Sequence, residues 1–159
     1  MADDTEALKH EFFFRGFFKK RGFYSLDDLT PTGYLADPFF QTAAHSREWL
    51  NGSEDFAAGS DGHQILTERG KKQIDALAGS QGIGLLKNPI IIEGYSNDPA
   101  PVVQLLQAKE RAVLVRRYLE NRLRIEARDI GTMPLQATPP QSSGKTIFDG
   151  ACIVLLRKA

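Results

Sequence analysis

Residues 102–123 carry the clearest periodic pattern of apolar and polar positions in the chain. The apolar side chains recur at spacings of three and four residues, which places them on one face of an α-helix. The pattern therefore predicts a long amphipathic helix that lies on a sheet. The members of this apolar stripe are Leu105, Ala108, Ala112, Val115, Leu119 and Leu123.

The segment PIIIEGY at residues 89–95 is apolar on both of its alternating faces. Such a run is typical of a central strand that is covered by a layer on each side. We therefore predict a buried strand here. Asn97, Asp98, Pro99 and Pro101 follow it and predict a loop, because proline fixes φ and lacks an amide donor.

Shorter signals predict the elements before this strand. Residues 63–66 are a strand candidate, and Thr67 is a good N-cap for a helix that runs to about residue 78. Gly79 is expected to end that helix, and Gly82 and Gly84 are expected to form a turn.

After the long helix, residues 130–135 and 151–156 are two further strand candidates, separated by a polar loop. The alternation of strands and helices predicts an α/β fold, a two-layer sandwich. Two strand-helix units and a terminal strand pair would form a mixed sheet with the helices on one face.

The N-terminal third has a different character. Residues 12–23 are rich in phenylalanine, lysine and arginine and predict a short amphipathic helix, which either docks a partner or packs on the core. Residues 30–63 contain scattered glycines and prolines and predict an irregular connector with one helical turn at residues 46–50. We therefore divide the chain into an extension and connector, residues 1–61, and an α/β domain, residues 62–159.

Composition narrows the function classes. The 159 residues include 20 Lys and Arg and 20 Asp and Glu, so the formal net charge is zero and no nucleic-acid partner is expected. Cys152 is the only cysteine, which excludes an internal disulfide and a cysteine-rich metal centre.

The acidic start and the short, interrupted apolar run at residues 12–18 predict neither a secretory signal nor a spanning helix. A cytosolic protein and a soluble part of a longer envelope protein both remain open.

Catalytic motifs are not recognisable. The GKT at residues 144–146 lacks the upstream glycine of a phosphate-binding loop, and GSQGIG at residues 79–84 has the wrong spacing for a dinucleotide site. The three histidines, His10, His45 and His63, are isolated in the sequence, and no serine lies in a GxSxG motif. The chain is therefore predicted to be non-catalytic, with no metal or cofactor; a hydrolase or transferase with an unrecognised site is the alternative.

The loop before the long helix is the best candidate binding site, because ligands collect at strand carboxyl ends and helix N-termini. Asn97 and Asp98 offer acceptors there. Arg111 lies about 80° from the centre of the apolar stripe, so its stem is expected to pack while its guanidinium reaches the rim. Such an arginine suits bidentate capture of a carboxylate. A solvated ion pair with Asp98 or Glu110 is the alternative.

Three segments resemble the OmpA-like peptidoglycan-associated domain: LTERGKKQIDALA, IIIEGYSND and QLLQAKERAVLVRRYLENRLRIEARDIGTMPL. That family carries a strand, a helix, a turn of sequence GHTD or GYTD, a helix that starts NxxLSxxRA, and a strand-loop-strand ending. The resemblance covers about residues 62–157. The N-terminal segment LKHEFFFRGFFKKRGFYSLDDLT separately resembles a segment before such a domain in MCE-family (mammalian cell entry) lipid-transport proteins. Those are membrane-anchored envelope proteins, which would make this chain a C-terminal fragment.

The resemblance implies a binding site for peptidoglycan stem peptides. In the family, a turn aspartate faces the ammonium of diaminopimelate and a helix arginine faces its carboxylate. Arg111 matches that arginine, whereas Asn97 stands where the family has aspartate and Gln104 where it has asparagine. Asp98 would restore the missing charge if the loop were shifted. The implied ligand-binding residues are Asn97, Asp98, Gln104 and Arg111.

The implied function is a non-catalytic, periplasmic module that tethers an MCE-type lipid-transport protein to the cell wall, with an inner-membrane anchor upstream of this fragment. Its expected partners are peptidoglycan and other envelope or lipid-transport proteins. A protein-interaction domain of the same fold, which has lost peptidoglycan binding, is the alternative.

Overall fold

Four strands form a mixed sheet in the computed structural model, which describes residues 30–36, 44–125 and 130–156. They are β1 (Ala44–Asn51), β4 (Ile90–Tyr95), β5 (Ile130–Pro134) and β6 (Gly150–Leu156), in the order β1-β6-β4-β5. β4 runs parallel to β5, and the other pairings are antiparallel. All residues of β4 and β6 are buried, so the predicted α/β class, the mixed sheet and the central PIIIEGY strand are confirmed.

Three helices accompany these strands in the described residues: α1 (Pro31–Ala36), α2 (Glu68–Lys87) and α3 (Pro101–Leu123). The predicted long helix is confirmed as α3, whose residues Ala108, Ala112, Val115 and Leu119 are fully buried. Its stripe does not extend to Leu105, which is 52% exposed. A short 3₁₀ helix, Gln141–Ser143, lies in the polar loop between β5 and β6.

Helix α2 begins as predicted and ends later. The Thr67 hydroxyl accepts the amide hydrogen of Gly70 at 3.1 Å, which confirms the N-cap. Gly79 does not end the helix, and Gly82 and Gly84 lie within it instead of forming a turn. A glycine ends a helix when it adopts a left-handed conformation, and among the described glycines only Gly62, Gly144 and Gly150 have positive φ.

The connector prediction was wrong at residues 46–50, which lie in strand β1 and not in a helical turn. β1 pairs antiparallel with β6, with Trp49 opposite Cys152. It therefore shares the main sheet with the segment 62–159, although the predicted division at residue 62 leaves it in the connector. The sequence AHSREWLN gives only a weak alternation, because an edge strand needs no continuous apolar run.

Two strand pairings differ from the prediction. Residues 64–66 form strand β3 (Gln64–Leu66), but β3 pairs with β2 (Phe56–Ala58) in a separate hairpin and does not join the main sheet. β5 and β6 do not form a terminal pair, since β4 lies between them. Residues 12–23, for which we predicted an amphipathic helix, lie outside the described residues.

Helices lie on both faces of the sheet, not on one face as predicted. The face with Ile90, Ile92 and Ile153 packs in the same core as the buried residues of α2 and α3. The opposite face carries Glu93, whose side chain accepts a hydrogen bond from Tyr34 of α1. Because successive strand residues point to opposite faces, α1 covers the face opposite the two long helices.

Glu93 is the centre of a buried polar network on that second face. Its side chain is fully buried and also accepts hydrogen bonds from Arg47 Nη1 at 2.6 Å and from the Tyr95 hydroxyl at 2.7 Å. Burial, followed by the charge of Glu93, raises the pKa of both tyrosines and of the Cys152 thiol. These groups therefore keep their protons, and the two tyrosines remain donors to the carboxylate.

In the described parts of the chain, no helix is both long and apolar enough to cross a bilayer.

Candidate binding site at the carboxyl end of the central strand

The turn after β4 is fixed to the start of α3 by side-chain hydrogen bonds. The buried Ser96 donates its hydroxyl to Gln107 Oε1 at 2.7 Å and accepts the amide hydrogen of Asp98 at 3.2 Å. Gln104 Nε2 donates to the Ser96 carbonyl at 2.9 Å. The Gln104 side chain therefore binds the backbone of the turn, whereas the resemblance implied that it contacts a ligand.

Asn97 and Asp98 lie at the surface end of this turn. Asn97 is exposed, and its backbone amide donates to Asp149 Oδ1 at 3.1 Å. Asp98 is half-buried and uses Oδ1 to accept the amide hydrogen of Ala100 at 2.9 Å. One oxygen of Asp98 thus stabilises the loop that leads into α3.

The Arg111 guanidinium is buried, so the prediction that it reaches the rim was wrong. Its side chain is 7% exposed. It is enclosed by Phe56 and Gln64 of the β2–β3 hairpin and by Asp149 of the loop before β6. Nη1 donates to the Tyr95 carbonyl at 2.8 Å and to Asp149 Oδ1 at 2.6 Å. Nε donates to Gln64 Oε1 at 3.1 Å, and the guanidinium carbon lies 5.5 Å from the centre of the Phe56 ring.

Asp149 is the residue that sequence reasoning missed. It forms the ion pair with Arg111, in place of the expected Asp98 or Glu110, and its side chain is 29% exposed. A buried guanidinium needs such a partner, because an unpaired buried charge carries a large desolvation cost. One sequence signal was present: Asp149 is the only acidic residue in the stretch 136–156 and comes directly before a buried strand.

Gly94 allows α3 to approach this strand end. A Cβ at Gly94 would lie 1.9 Å from the Ala108 carbonyl oxygen and 3.1 Å from the Ala112 side chain. The missing side chain lets the helix backbone rest against β4. Arg111 can then reach the Tyr95 carbonyl, which is one residue farther along the strand.

The hydrogen bonds of Arg111 leave part of the guanidinium unused. Among the described residues they engage Nε and Nη1 and none involves Nη2. The guanidinium is thereby fixed in one plane, with one nitrogen still able to donate to a ligand oxygen. Such an arrangement suits the recognition of a carboxylate.

The exposed His63 pairs with the half-buried Glu110 beside this site. His63 Nδ1 lies 2.9 Å from Glu110 Oε1, and the Gln64 amide donates to Glu110 Oε2 at 2.8 Å. The hydrogen bond to Glu110, followed by its charge, raises the pKa of His63 above 6.5. The hydrogen bond from the Gln64 backbone lowers the pKa of Glu110 below 4.5. The pair connects the β2–β3 hairpin, which carries Gln64, to α3.

A raised pKa in the folded state means that protonated His63 stabilises the fold below its unfolded pKa of 6.5. This contribution is lost as the pH rises through the folded pKa. We therefore expect the imidazole pKa of His63, measured by NMR titration, to fall toward 6.5 in Glu110→Gln. The wild type should also lose more stability than this variant as the pH rises from below 6.5 through the folded-state pKa of His63. An imidazole pKa that is unchanged in Glu110→Gln contradicts the pairing.

A pocket of about 370 Å³ lies apart from these residues, between α1, the start of α3 and the end of β5. Its walls include Leu35, Leu105 and Leu135, and neither Asn97 nor Arg111 lines it. The described residues contain no group of three or more histidine, cysteine, aspartate or glutamate side chains that could hold a metal ion.

Comparison with known proteins finds no matching family model and no matching curated sequence.

Proposed function

We propose that the chain is a non-catalytic module of the cell envelope, similar to OmpA-like domains, which binds the stem peptide of peptidoglycan at Arg111. In this proposal it works in the periplasm and tethers an MCE-type lipid-transport protein, with its inner-membrane anchor upstream, to the cell wall. The observation that carries the proposal is the fixed Arg111 guanidinium, whose Nη2 takes no part in the hydrogen bonds of the described residues.

The geometry around Arg111 supports carboxylate capture. Three acceptors hold the guanidinium in place at the end of β4, beside the exposed Asn97. A side chain that is already ordered loses little conformational entropy when a ligand arrives. The order α2, β4, turn, α3, β5, loop and β6 supports the proposal, because the resemblance implies the same order of elements. The envelope location rests on the sequence resemblance.

Retention on purified peptidoglycan sacculi tests the proposal. We expect the wild type to sediment with sacculi and Arg111→Ala to be retained at least about tenfold more weakly, because a charge-assisted hydrogen bond contributes about 1.5–3 kcal/mol. Arg111→Lys keeps the positive charge but lacks the planar fork, and it should also bind more weakly.

Arg117→Ala is the matched control, because Arg117 is an exposed arginine on the same helix. It should be retained like the wild type. Thermal melting of each variant shows whether it is folded. Equal retention of the wild type and Arg111→Ala, or no retention of either, contradicts peptidoglycan binding at Arg111.

A protein-interaction domain is the second candidate function, favoured by an apolar surface at the start of α3. Val102 is 81% exposed and Leu105 and Leu106 are each 52% exposed. Leu35 of α1 is 42% exposed and lines the 370 Å³ pocket together with Leu105. An apolar patch of this kind suits contact with another envelope protein. Under this candidate the wild type is not retained on sacculi.

A further inference from the structure

The turn that faces the proposed ligand lacks the negative charge that an ammonium group would need. Asn97 is neutral and exposed. Asp98 is the nearest acid in the sequence, but its Oδ1 already accepts the amide hydrogen of Ala100 at 2.9 Å. In the described residues no hydrogen bond or ion pair joins Asp98 to Arg111, whereas the ammonium and carboxylate of one amino-acid end need two partners that lie side by side. The charge must therefore come from elsewhere if the site is to bind a zwitterion.

Asp149 brings a carboxylate to this place from the loop before β6, 38 residues after Arg111 in the sequence. Its Oδ1 lies 3.1 Å from the Asn97 amide nitrogen and 2.6 Å from Arg111 Nη1. Among the described residues, Oδ2 accepts no hydrogen bond, and the side chain is 29% exposed. One oxygen thus joins the turn to the arginine, while the other remains available to a ligand.

The position of this carboxylate is fixed by the backbone around it. A Cβ at Gly52 would lie 2.3 Å from Asp149 Oδ2, so the carboxylate occupies the space that a side chain would fill. The Gly52 amide also donates to the Asp149 carbonyl at 2.8 Å. Gly150, the next residue, has a φ of 142° that favours glycine. The acid is therefore placed before any ligand binds.

The charge balance of the pair selects the kind of ligand. Arg111 and Asp149 together carry no net charge, so the attraction of the guanidinium for an isolated anion is offset by repulsion from Asp149. A group that carries both an ammonium and a carboxylate can engage both partners at once, with a charge-assisted hydrogen bond to each. With such a zwitterionic group bound, each charge of the ligand lies beside an opposite charge of the protein.

We propose that Asp149 is the acidic half of the binding site and takes the ligand ammonium at Oδ2, while Arg111 Nη2 takes the carboxylate of the same amino-acid end. This inference rests on the proposed function. It makes Asp149 the residue that determines the preference for a zwitterionic end, in place of the neutral Asn97.

Calorimetric titration with two soluble probes tests this role. Meso-diaminopimelate carries ammonium and carboxylate groups, whereas pimelate has both carboxylates and no ammonium. We expect the wild type to bind diaminopimelate at least about tenfold more tightly than pimelate. In Asp149→Asn the two affinities should become nearly equal. Measurements at about 0.15 M salt limit long-range effects of the altered net charge.

The ratio of the two affinities separates a ligand contact from a positioning role. If Asp149 does not contact the ligand ammonium, Gly52→Ala, which displaces the carboxylate without removing its charge, changes both affinities by the same factor and leaves the ratio unchanged, which overturns the inference. Asp75→Asn is the matched control, because Asp75 also pairs with an arginine, Arg122, away from this site, and it should keep the wild-type ratio. Asp149→Asn is the second variant: it removes both the acceptor for the ammonium and the charge that repels the pimelate dianion, so its ratio should fall further, and an unchanged ratio overturns the inference.

The outcomes also separate this inference from the proposed function. Retention of the wild type on sacculi with an unchanged probe ratio in the folded Asp149→Asn variant overturns the role of Asp149 alone. Failure of the wild type to bind sacculi and either probe overturns both.

Discussion

Replacing Glu93 by glutamine is expected to lower the free energy of unfolding by about 3–5 kcal/mol, because it leaves the charge of Arg47 without its buried partner. Glu93 is fully buried, and the Arg47 side chain is only 10% exposed. The substitution also weakens the acceptor for the Tyr34 and Tyr95 hydroxyls, so α1 should lose part of its attachment to the sheet. Urea denaturation measures this loss.

Two further variants show whether the effect comes from the buried pair. Glu68→Gln is the same chemical change at a residue that is 84% exposed, and it should alter stability by about 0.5 kcal/mol or less. The double variant Arg47→Met/Glu93→Gln removes both charges. Its loss in free energy of unfolding should be smaller than the sum of the losses measured for Arg47→Met and for Glu93→Gln. Additive losses, or a Glu93→Gln variant as stable as the wild type, contradict the account of the network.

Gly94→Ala is expected to destabilise the fold by about 3 kcal/mol or more, since overpacking against backbone atoms cannot be relieved by a side-chain rotation. The new Cβ would lie 1.9 Å from the Ala108 carbonyl oxygen. α3 would have to move away from β4, and Arg111 would then separate from the Tyr95 carbonyl. Thermal or urea denaturation measures the stability, and the sacculus assay measures the loss of binding.

Gly79→Ala is the matched control for this substitution. Gly79 lies in α2, and a Cβ there meets no atom within 4 Å. Alanine favours a helix over glycine by about 1 kcal/mol, so this variant should be more stable than the wild type. The two Gly→Ala substitutions are thus expected to change the stability in opposite directions. A Gly94→Ala variant with wild-type stability contradicts the close approach of α3 to β4.

The elements that could be predicted from the sequence are those whose pattern is local. β4 has a continuous β-branched run, and the apolar stripe of α3 is buried from Ala108 to Leu119, so periodicity and burial agree there over about three turns. β1 was missed because its strand character depends on pairing with β6, which lies about a hundred residues away. The extent of α2 was underestimated because its glycines carry no visible sign of their backbone conformation.

The candidate site shows the same division. Sequence reasoning selected the turn at Asn97 and Asp98 and the arginine at position 111, and the structure places them at one end of β4. A helical wheel gives only the direction of a side chain. It cannot show that the β2–β3 hairpin covers Arg111 or that Asp149 pairs with it. Those contacts depend on tertiary packing between segments 38 to 47 residues apart.

Competition on sacculi is the most direct measurement of the central claim that this chain binds peptidoglycan through Arg111. The wild type is expected to sediment with sacculi and to be released by meso-diaminopimelate, while pimelate at the same concentration releases much less. Arg117→Ala should behave in the same way and Arg111→Ala should remain in the supernatant throughout. Wild-type protein that stays in the supernatant, or that sediments and is not released by diaminopimelate, contradicts the claim.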